Sequence, residues 1–170
     1  MDDPFDVLGL PARFDLDPAE VRRAWLERSA AAHPDRAPEE SESTSAAARL
    51  NEARAALADP ERRAIALVRR LAGAAAEEVL ADRGLPEGFL RGVMDLRERL
   101  ETERAEAGAA AVERMLAEAE AARRAHIVRT GELFGALGPA PSRERLLEIR
   151  RELNAWRYVE RMIEQLSADQ

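Results

Sequence analysis

Residues 17–35 read DPAEVRRAWLERSAAAHPD. Asp17 supplies an N-cap oxygen, Pro18 suits the first helical position, where no N–H is needed, and Glu20 falls three residues after the cap. Good helix formers fill the turns that follow. Pro34 stops the helix near Ala32, because proline lacks an N–H and its ring clashes with the preceding turn. The chain is thus delivered into the tripeptide His33-Pro34-Asp35. Taken alone, that tripeptide also fits a plain helix ending, with histidine near the last carbonyls and aspartate opening a turn. Its meaning depends on what flanks it.

Upstream, Pro4 to Leu8 form a short helical turn closed by Gly9 and Pro11. Downstream, APEESESTS at 37–45 reads as an exposed loop, and helix resumes near Ser45 and reaches Leu57. Asp59-Pro60 repeats the cap-and-proline start, which predicts a helix over Pro60–Ala72 ended by Gly73. The pattern weakens from Gly73 to Gly88 and closes on RGLPEG. Three longer periodic segments follow, at roughly 87–106, 109–137 and 142–167, the last two parted by GPAPS. Phe89, Val93, Leu96 and Leu100 share one helical face. Val112, Leu116, Ile127, Phe134 and Leu137 share another, with Ala119 and Thr130 filling gaps, and Ile149, Leu153, Trp156, Val159 and Ile163 a third. No stretch alternates apolar and polar residues as a strand would. Alanine occurs 35 times and aromatic residues make up 4%. The fold class is therefore all-α, with domains at 1–73 and 87–170 joined by a linker at 74–86, the second a three-helix bundle.

Charge and composition remove several function classes. The 26 basic residues, all arginine, face 33 acidic ones for a net charge of −7. Such a chain lacks the cationic footprint that nucleic acid or an anionic membrane selects, so neither is expected as a partner. With no cysteine and only His33 and His126 as histidines, thiol catalysis, disulfides and Cys/His zinc sites are excluded, and neither metal nor cofactor is expected. The opening MDDPFD is acidic, and no apolar run approaches the ~20 residues of a membrane span. The expected location is cytoplasmic.

In their context these motifs resemble a J-domain. DPFDVLGLP stands as its short first helix, PAEVRRAWLERSAAA as its second, HPD as its signature turn, and LNEARAALADPERRAIALVRR as its third. The resemblance continues beyond. FDVLGLPARFDLDPAEV, then FLRGVMDLRERLE, then RYVERMIEQL are similar to the HscB family of J-type co-chaperones in iron-sulfur cluster assembly. The match spans Pro4 to about Leu166. It implies that His33, Pro34 and Asp35 dock on an Hsp70-type chaperone of the HscA or DnaK kind and stimulate its ATPase, with Arg22, Arg23, Arg28 and Arg36 as the positive surface. It also implies that the C-terminal bundle holds an IscU-like cluster scaffold through an apolar patch ringed by acids. Forms of the family with a cysteine-rich zinc module do not fit a cysteine-free chain, which points to the compact bacterial type.

At about 100° per residue, Leu90 and Met94 lie about 100° to 140° round from Phe89, away from the inward stripe, with Glu98 near 180° and Asp95 on the opposite flank. A pair of apolar residues the bundle does not need suits a partner surface, although scattered exposed leucines are normal. The scaffold-binding set implied by the resemblance is Leu90, Arg91, Met94, Asp95, Glu98 and Tyr158. Tyr158 fits equally as an edge-of-core residue with a wet hydroxyl. Arg91 stands where the family often has a long apolar residue, and Thr102 where it has an acid. Ala31 and Ala32 replace the aromatic and polar residues common before the tripeptide. Arg22, Arg23 and Arg28 also fit a solvated helix face, and Arg28 could snorkel across the core side. His126 has no ligand partner nearby in sequence and reads as structural. The repeat through 101–124 is broken by Gly108 and is not a coiled coil.

An enzyme using His33 and Asp35 as base and acid is disfavoured, since no nucleophile, metal site or oxyanion hole accompanies them. The expected function is a non-enzymatic, monomeric adaptor between chaperone and scaffold. The alternative is a J-domain co-chaperone for a different client.

Overall fold

In a computed structural model, residues 2–31, 40–107 and 109–168 are described. The helices are α1 (Pro4–Leu8), α2 (Pro18–Ala31), α3 (Glu40–Ala58), α4 (Pro60–Ala72), α5 (Ala76–Ala81), α6 (Phe89–Ala107), α7 (Ala109–Gly135) and α8 (Arg143–Ala168), with a 3-10 turn at Gly73–Ala75 before α5. There is no strand among the described residues. The chain divides into two compact units, Met1–Glu77 and Glu78–Gln170.

In the first unit α3 is central and packs against α1, α2 and α4. Phe5, Leu8, Val21, Leu50, Leu57, Leu67 and Val68 are buried there. The caps form as the sequence suggests. Asp17 Oδ1 accepts from the N–H of Ala19 at 2.8 Å and Asp59 Oδ1 from that of Arg62 at 2.7 Å. Gly9 ends α1 in the left-handed region at φ 65°. Arg70 of α4 grips α1 by donating to Asp3 at 2.6 Å and Asp6 at 2.9 Å. Those hydrogen bonds, that to Asp3 foremost, hold its guanidinium pKa above the ordinary arginine value. Arg63 is buried, donates to the Leu16 carbonyl at 3.0 Å and lies 5.4 Å from the Phe14 ring centre. Desolvation draws its pKa below the usual arginine value.

The second unit is built on α7 and α8, which pack along each other. Val112 and Met115 near the start of α7 cluster with Leu166 near the end of α8, so the two run antiparallel. Leu146, Ile149, Leu153, Trp156 and Val159 fill the seam, and the Trp156 indole N–H donates to Glu160 at 2.8 Å. α6 packs on α7. Its expected inward residues Phe89, Val93 and Leu96 are only half-buried, because α6 lies on the outside of the α7–α8 pair; the Leu100 side chain lies outside the described residues.

Two stretches differ from expectation. Helix α3 is already present at residue 40 rather than from 45, inside the stretch read as a loop. The presumed linker at 74–86 contains the 3-10 turn and α5, since alanine and glutamate favour helix and Ala76 and Val79 are buried. Residues 82–84 are then tied down rather than slack. Asn154 Nδ2 donates to the carbonyls of Asp82 at 3.1 Å and Gly84 at 2.9 Å. The boundary between units accordingly falls at 77/78, within α5. Asp59→Ala, which removes the α4 cap, is expected to lower stability by about 1 kcal/mol. Urea denaturation of the purified chain measures it.

Candidate functional site

His33, Pro34, Asp35 and Arg36 lie outside the described residues, and so do Ala32 and residues 37–39. What is described is the helix that leads to them. Trp25 anchors α2 on α3: its indole N–H donates to Asn51 at 3.1 Å, and the Arg54 guanidinium sits 4.5 Å over its ring. Arg22 and Arg23 are exposed and have no ion-pair partner among the described residues. Leu26, half-exposed, lies one turn on from both, so this face presents an apolar centre beside two guanidinium groups. Arg28 is different. A Cβ built on Gly9 would fall 2.1 Å from an Arg28 Nη, so this guanidinium covers the C-terminal turn of α1. One of the three α2 arginines named from the sequence is therefore engaged within the fold.

In the second unit, α6 carries the other candidate set. Leu90 and Met94 are 58% and 69% exposed and stand one turn apart. Arg91, Asp95 and Glu98 are exposed beside them. Asp95, Glu98, Arg99 and Thr102 line one shallow groove. Arg99 pairs with Glu118 of α7 at 3.1 Å, and the Thr102 hydroxyl donates back to the Glu98 carbonyl at 3.0 Å. Thr102 thus satisfies itself on its own helix. Tyr158 of α8 is half-buried and reaches this region through Phe89, whose ring it meets edge-on at 5.7 Å and 85°. The two readings of Tyr158 meet here, since it is at once an edge-of-core residue and the neighbour of the residue preceding Leu90.

His126 does have a partner: Nδ1 lies 2.6 Å from Glu152 Oε1, and its ring packs against Phe89 at 6.0 Å. Nothing local in the sequence signals this contact, because Glu152 is 26 residues away on another helix. No group of three or more His, Cys, Asp or Glu side chains able to hold a metal occurs among the described residues. No helix among them is long and apolar enough to cross a membrane.

Residues 3–66 match the DnaJ domain, and residues 85–167 match the HSCB C-terminal oligomerisation domain. A curated relative, the co-chaperone protein HscB homolog of Bordetella parapertussis, is 34% identical over 99% of this chain and 96% of its own length. This chain belongs to the HscB co-chaperone family. The HscB homolog of Chromobacterium violaceum is 37% identical over 63% of each chain. Among solved structures, chaperone HscB from Vibrio cholerae aligns with a TM-score of 0.70 at 24% identity, covering 98% of this chain and 96% of that one. Human co-chaperone HscB aligns at 0.74 and 20% identity, covering 99% and 82%. These share the all-α fold of a J-domain followed by a helical C-terminal domain.

The contact of Arg28 with α1 carries a direct consequence. Gly9→Ala puts a side chain at positive φ and into that guanidinium, and it is expected to destabilise the J-domain unit by about 1–2 kcal/mol. Thermal unfolding of this HscB-family chain, compared with the Arg28→Ala/Gly9→Ala double variant, checks it. The double variant should recover the part that comes from the clash.

Proposed function

We propose that this chain is an adaptor which brings an IscU-like iron-sulfur scaffold protein to an Hsp70-type chaperone of the HscA or DnaK kind and stimulates that chaperone's ATPase. In a member of the HscB family, the observation that carries the reading is the solvent-facing pair Leu90 and Met94 on a helix whose other described large apolar residues, Phe89, Val93 and Leu96, are half-buried. The J-domain supplies the stimulating residues His33, Pro34 and Asp35. Arg22, Arg23 and Arg36, with Arg28 in part, offer the positive surface to an acidic chaperone face. Proline fixes its own φ, so a His-Pro-Asp sequence has less ordering entropy to lose on docking than an unrestricted tripeptide. On α6, Leu90 and Met94 form the apolar centre for the scaffold, with Tyr158 behind them and Asp95, Glu98 and Arg91 at the rim, the arrangement of apolar anchors and polar surround that binding surfaces use.

Holding both partners on one chain raises the local concentration of each near the other. The cluster is cargo. With no cysteine in the sequence, its thiolate ligands come from the scaffold, and this chain assists without catalysing a reaction of its own. It works in the cytoplasm as a monomer.

Arg91 favours a second reading, service to a different client. It is exposed within the patch and has no acidic partner among the described residues, so a surface evolved around it would offer a carboxylate there. Retention of the scaffold from native cytosol on immobilised chain supports the first reading; retention of another protein in its place supports the second.

His33→Gln is expected to abolish ATPase stimulation while scaffold affinity stays unchanged; full stimulation by that variant contradicts the J-domain role. Leu90→Ala/Met94→Ala is expected to weaken scaffold binding at least about tenfold with the circular dichroism spectrum preserved. Unchanged affinity in calorimetry moves the client site elsewhere.

A further inference from the structure

Helix α6 fully buries none of its described side chains, so the contacts those side chains do make bear directly on where its outer face points. Its first residue makes two of them. Phe89 follows Gly88, at φ 77°, and places its ring edge-on to Tyr158 of α8 and to His126 of α7. The imidazole is fixed in turn. Its Nδ1 lies 2.6 Å from Glu152 Oε1, and the two side chains are only 17% and 12% exposed. With the Glu152 carboxylate as acceptor, Nδ1–H donates, and the bond orients the plane of the ring that Phe89 packs against. Two residues further along α8, Asn154 holds the carbonyls of Asp82 and Gly84 just before α6, and Tyr158 follows four residues later. One stretch of α8 thus secures the approach to α6, its first ring, and the imidazole beside that ring.

We propose that His126 and Glu152 are positioning residues for client recognition. Their hydrogen bond holds the imidazole against Phe89, which sets the start of α6 and hence the pose of Leu90 and Met94, one and five residues on. Neither residue touches the client. Without the bond the imidazole is free to turn, Phe89 follows it, and the apolar pair is presented in a range of poses, only some of which fit. This rests on the α6 face being the client site, and it adds a determinant remote in sequence from that face.

The test uses the full chain with substitutions that keep the volume of the site. Glu152→Met and His126→Phe remove the hydrogen bond, whereas Glu152→Gln keeps an acceptor oxygen in the same place. Affinity for the IscU-like scaffold is measured by calorimetry. Independently, with no client present, NMR follows the ring resonances of Tyr158, the only tyrosine, and the methyl resonance of Met94. Glu152→Met and His126→Phe are expected to weaken scaffold binding about tenfold and to shift both sets of resonances, while Glu152→Gln stays within about threefold of the parent and leaves the resonances in place. The proposal is overturned if the first two variants lose only thermal stability, with resonances and affinity unchanged, or if Glu152→Gln fails to rescue. Leu90→Ala/Met94→Ala separates the two claims. If that variant binds normally, the client face has been misplaced, yet the client-free resonances still decide whether the pair positions α6.

Discussion

The antiparallel packing of α8 on α7 is the constraint on which the C-terminal unit depends. Ile149, Leu153 and Trp156 are essentially without solvent contact, and each such side chain contributes on the order of 1.5–3 kcal/mol relative to exposure. Because those two helices complete the core between them, α6 needs to bury only part of its surface. Its outward apolar residues Leu90 and Met94 stay exposed, as the proposed client face requires. A third helix drawn fully into the core would hold its position better but would display a narrower outer face. The half-burial of Phe89, Val93 and Leu96 is the compromise the structure adopts.

Arginine is the chain's only ordinary cation, and the structure separates its uses. Arg63 and Arg70 are structural. The first holds a buried carbonyl, and the second bridges Asp3, the N-cap of α1, and Asp6 within it. A planar guanidinium suits both tasks, since it offers several donors in fixed directions and stays charged when partly desolvated. Arg28 covers a turn, and Arg22 and Arg23 remain exposed. Of the three α2 arginines in the proposed chaperone-facing set, two are therefore left wholly to solvent.

Much of this was legible in the residues. Asp17-Pro18, Asp59-Pro60, Gly9 and Gly73 marked helix ends that the structure reproduces, because capping is a local interaction between neighbours in sequence. The α8 stripe from Ile149 to Val159 was readable from its period, and the solvent-facing placement of Leu90 and Met94 followed from their angle to Phe89. Two kinds of feature were not. Helix propensity in polar or alanine-rich stretches was underestimated at residues 40–44 and in α5, where no amphipathic stripe advertises the helix. Long-range pairs were invisible, including His126 with Glu152 and Asn154 with residues 82 and 84, since nothing near either partner signals the other.

The central claim is coupling: one chain conveys the presence of a scaffold to a chaperone's ATPase. The most direct measurement is steady-state ATP hydrolysis by the cognate Hsp70-type chaperone with this chain alone, with the IscU-like scaffold alone, and with both. If the chain is an adaptor, stimulation by the two together exceeds the product of the separate stimulations. Stimulation that is no more than multiplicative, or a scaffold that leaves the chain's effect unchanged, contradicts it.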